Sequence, residues 1–279
     1  MPQPSFGNPS LQERIAAVHD AMAAPIIQCL SQPSKSSNEQ GPASAGLFFN
    51  TAAENASRLV SGECGAAFIT AIDFAKNSSD FSLYLPAVSS KSASRSILLL
   101  TKPKIRTIRT VAFGAVASAD VALTKIILAE KYELGVTFQP VSGSIEECLL
   151  KADAVLVSGD DALLLERGGS EIDLVDEWSD LTELPFVHFL CAGQNDMYSK
   201  NILSSLQSAA ESAVENFDAT ASHISTEKGI DVEEVKNYLS NFSFVLDDDA
   251  VAGVNEFFRY AFYLGMLPDV PDIRKFAIE

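Results

Sequence analysis

Apolar runs of strand length alternate along this chain with stretches whose apolar positions recur at helical spacing. RIAAV at 14–18 reads as a short buried strand, followed by a loop running into a helix with Pro25 near its first turn. Residues 50–61 are a predicted helix, because Thr51 and Glu54 have capping-box spacing and Gly62 supplies a stop. CGAAFIT (64–70), SRSILLLTK (94–102), RTVAFGA (109–115), VTFQPV (136–141) and ADAVLVSG (152–159) read as strands. Between them, 118–134 carries Val121, Ala122, Leu123, Ile126, Ile127 and Leu128 near helical spacing, and Ser144 with Glu147 opens a second capped helix. LPFVHFLC (184–191) is a buried strand, apolar but for His188. The last third is helical: one long helix from 195 to about 217, one capped by Asp231 with Glu234 three residues on, and a last one stopped by Pro268. Residues 1–12 and the insert 31–46 are rich in turn formers and read as frayed or flexible.

Strands alternating with helices predict an α/β fold of two lobes, each a mainly parallel sheet flanked by helices. The strandless C-terminal third must then pack back onto the first sheet. This gives one lobe from 13–98 plus 192–279 and another from 103–185, with crossing strands near 96–101 and 184–191. A ligand cleft between lobes follows, where strand ends and helix N-termini converge.

Composition narrows the partners. The chain has 279 residues, 47% hydrophobic and 20% charged, with Lys+Arg 20 against Asp+Glu 37 and a net charge of −17. That field repels phosphates, so neither nucleic acid nor an anionic membrane is an expected partner. A small-molecule ligand is expected, and a homodimer is compatible with the sequence. Cys29, Cys64, Cys148 and Cys191 lie far apart among apolar neighbours and read as core residues. Three scattered histidines supply no zinc site. No basic stretch leads into an apolar run at the start, so neither a signal peptide nor a membrane span is expected, and a cytoplasmic protein is. No GxGxxG, P-loop or GxSxG occurs, and no cofactor or metal is expected.

Three blocks carry a family likeness. Asp173, Leu174, Trp178, Thr182, Leu184, Pro185, Phe186 and Val187 fit a pattern running Asp-Leu-Gly-x-x-Trp-x-x-x-Thr-Gly-Leu-Pro-Phe-Val. Val175 and Glu183 stand at its glycines, and His188 replaces an aromatic residue. The stretch 152–163 fits Ala-Asp-Ala-x-Leu-x-x-Gly-Asp-x-Ala-Leu, and 14–18 with Pro25 fits a third block. On these residues the chain resembles the chorismate dehydratase family of the futalosine route to menaquinone, which has a type II periplasmic-binding-protein fold. The resemblance covers most of the chain and implies a ligand site between lobes. It places ligand-facing positions at Asp20, Met22, Ser89, Ser90, Lys91, Ser118, Ala119 and Asp120.

The chain departs from the family pattern at several of these positions. Met22 stands where the family has a substrate-contacting Asn, and a thioether cannot donate a hydrogen bond. Asp120 puts a carboxylate where the family's hydroxyl-bearing turn suits a substrate carboxylate. Like charges about 4 Å apart in a half-dry cleft cost on the order of several kcal/mol. Ser89 to Ser96 keeps hydroxyls and the cations Lys91 and Arg95 but loses a Gly-Pro turn.

His188 and Asp160 are the catalytic candidates. His188 is either a base or ligand donor beside the cleft, or a core histidine bonded to backbone. Asp160 either contacts ligand or caps the helix that follows it. His19 and Asp20 are either an acid/base pair or solvated loop residues. Trp178 with Asp173 and Thr182 is expected to fix the loop into the crossing strand, and Asp247 to Asp249 to be a solvated helix start rather than a calcium site. The first expectation is a diverged family member that binds a ligand less anionic than chorismate without family catalysis. The alternatives are chorismate dehydration to 3-enolpyruvylbenzoate, with Ser90, Ser118, Lys91 and Arg95 holding the carboxylates, and the sister naphthoate-forming lyase with His188 as base.

Overall fold

The computed structural model describes residues 10–31, 46–102, 107–166, 168, 171–195 and 199–276. Two mixed sheets, each flanked by helices, make up the fold. In the first sheet, β1 (Arg14–Ala17) lies between β2 (Gly46–Phe49) and β3 (Ala66–Ile69), both parallel to it. Beyond β3 the order continues through β10 (Phe186–Gln194) and β4 (Phe81–Ser90) to β11 (Ser243–Val245), every pair antiparallel. The second sheet runs β7 (Thr137–Pro140), β6 (Thr110–Phe113), β8 (Ala154–Ser158), β5 (Ile97–Thr101), β9 (Glu171–Asp173). Its β7, β6 and β8 are parallel, whereas β5 is antiparallel to both neighbours.

The sheets are therefore mixed rather than mainly parallel. The two strands that enter their sheets from the other one, β5 and β10, run antiparallel to both neighbours. The expected crossing strands also need correction. β5 pairs only within the second sheet and β10 only within the first. The chain passes between sheets in the non-strand residues 91–96 and in the segment that ends at Pro185.

Three apolar layers follow from strand alternation. Ile15, Ala17, Phe68 and Tyr84 pack under α1 (Ala24–Ser31), α8 (Lys200–Ser212), α9 (Phe217–Lys228) and α10 (Val232–Leu239). Ala16, Ala67 and Leu190 face the opposite way and share one continuous core with Leu99, Val111 and Leu156 of the second sheet. That core is closed by α2 (Ala52–Val60), α3 (Ala71–Ala75), α4 (Ser118–Glu130), α7 (Leu174–Thr182) and α11 (Asp248–Tyr263). Leu98, Val155 and Val157 lie on the remaining face beneath α5 (Ile145–Lys151) and α6 (Asp160–Leu163). The expected capping boxes form: the Thr51 hydroxyl accepts from the Glu54 amide and that of Ser144 from the Glu147 amide, each at 3.3 Å. Asn55 fastens the strand ends, donating to the carbonyls of Ala17 and Phe68 at 3.0 Å.

The Trp178 segment is a helix, not a loop. Asp173 caps α7, accepting from the Val175 amide at 3.0 Å, and its other oxygen accepts from the Arg95 amide at 2.7 Å. Asp176 accepts from the Ala93 amide at 3.2 Å, and the Ser179 hydroxyl donates to the Lys91 carbonyl. One face of α7 thus holds the 91–96 connection. Trp178 is fully buried, edge-on to Phe186 and Phe257 with centroids 6.2 Å away. The predicted 195–217 helix is α8, which ends at Ser212, and α9 is a separate helix. Asp247 caps α11 through the Ala250 amide, as expected of a solvated helix start. Positions 32–45 of the expected insert lie outside the described residues.

Candidate functional site

A cavity of about 330 Å³ lies between the sheets. The ends of β1, β3 and β8, the starts of α2 and α4, the residue before β5 and the middle of β10 all open onto it. Strand ends meeting helix starts is the usual place for a ligand in an open α/β sheet.

Asp20, Met22, Ser118, Asp120 and His188 all line this cavity. Burial, and then the nearby Asp160 carboxylate, push Asp20 up to about 6, so it is no solvated loop residue. His19 instead stacks on Phe49 with centroids 4.4 Å apart. Burial pushes Asp120 up to about 7, with Asp20 adding to the rise while the Ser158 hydroxyl and the Ala117 amide pull it down. Asp120 sits in the first turn of α4, whose cap position is Ala117 and offers no side-chain acceptor.

His188 answers to a β-bulge. Val187 pairs with Ser89 and Phe189 with Val88, so His188 is an extra residue opposite no partner. The bulge breaks the strand's alternation and aims the imidazole into the cavity. The ring is 4% exposed, edge-on to Phe186 and Phe242, and its Nε2 lies 3.5 Å from the Ser96 hydroxyl. Burial lowers its pKa to about 3, so it is a neutral imidazole at ordinary pH.

The other sequence candidates lie outside the cavity wall. Ala119 is buried beneath the first turn of α4. Ser89 sits in the ladder between Val187 and Ser243, and the Ser90 hydroxyl donates to the Ser92 carbonyl at 3.0 Å. Lys91 is exposed, with its ammonium 3.6 Å from Asp249. Arg95 donates to the Leu165 carbonyl at 2.7 Å. Asp160 is neither a cap nor a wall residue. Gly159 occupies the cap position, and Asp160 joins the lobes: Oδ1 accepts the Ala21 amide at 2.8 Å and Oδ2 lies 2.6 Å from Lys228 Nζ.

Sequence reasoning missed Thr70, Asp73, Ser158 and Gly159 as wall residues, and used Thr51 only as a cap; Ser96, the end of the expected 89–96 pocket segment, is on the wall. Thr51 and Thr70 each stand between a strand and a helix, the signal that could have found them. Asp73 is held by the Thr70 hydroxyl at 2.7 Å. Among the described residues lining the cavity there is no Lys or Arg, and none of the described residues groups three His, Cys, Asp or Glu side chains suited to a metal ion. No described helix is long and apolar enough to cross a membrane. The arrangement can accept hydrogen bonds and offset positive charge; it has no fixed cation for a carboxylate.

Known proteins of the same fold follow the same plan. Protein AF1704 from Archaeoglobus fulgidus superposes with a TM-score of 0.69 at 16% identity, covering 91% of this chain and 98% of that one. The alkanesulfonate-binding protein SsuA from Xanthomonas axonopodis pv. citri, solved bound to MOPS, gives 0.63 at 14% identity over 95% and 97%. A Candida albicans gene product with the generic periplasmic binding protein fold gives 0.60 at 13% over 98% and 99%. These likenesses establish a periplasmic-binding-protein-like fold. No curated protein sequence matches the chain. The sequence profile described as menaquinone biosynthesis, however, matches residues 13–263, which takes in both sheets and the whole cavity wall. The chain belongs to the menaquinone biosynthesis family, that of the chorismate dehydratases.

Proposed function

We propose that this family member holds a small polar ligand between its two lobes, one built on each sheet, and that the ligand is a hydrogen-bond donor or a cation rather than a dianion. One observation carries the reading: Asp20 and Asp120 face the cavity from opposite lobes, and no described Lys or Arg lines it. Chorismate carries two carboxylates. A carboxylate placed beside Asp20 or Asp120 is disfavoured wherever that carboxyl is ionised, since like charges at low dielectric cost several kcal/mol. Met22 removes the amide expected at the family's substrate contact. Of the four groups that would have to replace the lost anion contacts, Ser118 alone lines the cavity; Ser90, Lys91 and Arg95 are engaged elsewhere.

The second reading, dehydration of chorismate to 3-enolpyruvylbenzoate, is favoured by the family match and by the uncapped start of α4 at the cavity wall. Those amides suit an anion. In that reaction the chain's part is orientation and charge stabilisation, with the neutral His188 and the Ser118 hydroxyl as donors. A base role for His188 in a naphthoate-forming step is disfavoured by its low pKa.

Purified protein incubated with chorismate and followed by mass spectrometry decides between them. Loss of one water faster than in buffer overturns the binding reading. A thermal-shift series then compares polyols and small amines with dicarboxylates. A ligand at 100-fold its Kd adds about 2.7 kcal/mol of stability. Stabilisation by amines or polyols and not by dicarboxylates is expected, and the reverse order overturns it.

A further inference from the structure

A second cavity of about 320 Å³ lies on the far face of the second sheet and is unused by the reading above. Its origin is a shortage of cover. Five strands at about 4.8 Å spacing make a face roughly 19 Å wide. The inner face packs against α4, with 13 residues, in the core that α7 and α11 also close; among the described residues the outer face carries α5 with 7 and α6 with 4. At about 1.5 Å per residue, α5 spans roughly 10 Å. The space left between α5, α6, the loop after β6 and strand β8 is walled by Val141, Ile145, Val155, Val157, Leu164 and Leu165. Cys148 lies against it, 4% exposed, and its thiol donates to the Val141 carbonyl at 3.9 Å.

Among the described residues lining this cavity there is no Lys, Arg or His, and the one acid among them, Asp161, is exposed. An ion placed there would lose hydration with nothing to replace it. The volume is at the lower end of the range for small-molecule sites. Ala115, Val116 and Ser158 line both cavities, so the two meet across one thin wall at the 114–117 loop and the end of β8. Ser158 also holds the Asp120 carboxyl.

We infer that this cavity is a second binding site, for an uncharged apolar group, adjoining the inter-lobe site. The group is either a separate molecule or the apolar arm of a ligand whose polar head sits at Asp20 and Asp120. The site itself rests on its own walls and not on the reading of the inter-lobe cavity.

N-phenyl-1-naphthylamine, an uncharged probe whose emission rises in apolar surroundings, tests the site on the full chain. Saturable binding of one probe per chain is expected, weakened at least tenfold by Val157→Phe and by Ile145→Trp. Ile145 is partly exposed, so its variant tolerates the larger ring if Val157→Phe does not fold. Absence of saturable binding, or binding unchanged in the folded variants, overturns the inference. Ethylamine through octylamine then separate the two sources. For an arm, each methylene tightens binding roughly threefold to fourfold, octylamine displaces the probe, and Asp120→Asn weakens it. For a separate molecule, octylamine displaces the probe equally in wild type and Asp120→Asn. Probe binding without any binding of ethylamine or of polyols leaves this site standing and sinks the inter-lobe reading instead.

Discussion

Asp120 and His188 face one cavity with pKa values displaced in opposite directions, and this fixes how stability responds to pH. The Asp120 carboxyl titrates near 7 and Asp20 near 6, against ordinary values near 3.8. Between those limits the folded chain keeps protons the unfolded chain has released, so rising pH removes stability. The slope is at most about 1.4 kcal/mol per pH unit for each group. His188 acts oppositely: its folded value near 3 lies below 6.5, so stability is lost as pH falls through 6.5. Two carboxyls outweigh one imidazole, and chemical denaturation from pH 4.5 to 8 should show stability falling toward pH 7. Asp120→Asn should flatten that fall and stabilise the ligand-free protein at pH 7.5; an unchanged slope would mean Asp120 is not perturbed. Met22 and Asp120 were readable as departures from the family pattern. Ser89, Ser90 and Lys91 fall outside the cavity wall because β4 runs on to Ser90 between β10 and β11, and no local signal shows a strand's two neighbours.

At the level of elements, caps were the readable part. Thr51, Ser144 and Asp231 start helices where their spacing predicts, and Asp247 opens α11 where the acidic run marked a helix start. Helix α7 was not readable, since its role is tertiary: it holds the connection whose Arg95 has a φ of 54°. Asp173→Ala removes the cap and the acceptor of the Arg95 amide together. A loss of about 1–3 kcal/mol is expected, with faster amide exchange at 91–96. The same helix ends on Glu183, with φ 60°, at a position where the family pattern has glycine. A side chain there strains the left-handed turn, so Glu183→Gly should raise stability by up to about 1 kcal/mol in thermal melts. The bulge at His188 was also hidden, because alternation counted along the strand places the ring between two apolar residues of one face.

For the whole molecule, the contact that matters is the one between lobes. Asp160, from the second sheet, takes the Ala21 amide and the Lys228 ammonium of the first lobe. Gly159 beside it has φ 64° and ψ −137°, a combination close to glycine-only space, and an added Cβ would meet Asp20 Oδ1 at 2.5 Å. Lys228→Met should loosen this contact and raise the radius of gyration in small-angle scattering, and Gly159→Ala should do so at a cost of about 1–3 kcal/mol in stability. An unchanged radius in both would show that other packing holds the lobes. The α/β class and the two-sheet plan were visible in the order of apolar runs. Lys228 was not, as it reaches Asp160 from a helix far along the chain.

The two sheets differ in how they draw on the chain, and this bears on how the protein is made. All five strands of the second sheet come from Ile97–Thr101 through Glu171–Asp173, whereas the first spans Arg14–Ala17 to Ser243–Val245. On a ribosome the second sheet's strands have all emerged before Phe186–Gln194, and the first sheet cannot be completed until Ser243–Val245 follows. Loop closure over such separations is slow, so the early strands β1 to β3 wait with open edges until late in synthesis. Of the two halves, the N-terminal one is where a nascent chain is most exposed to aggregation.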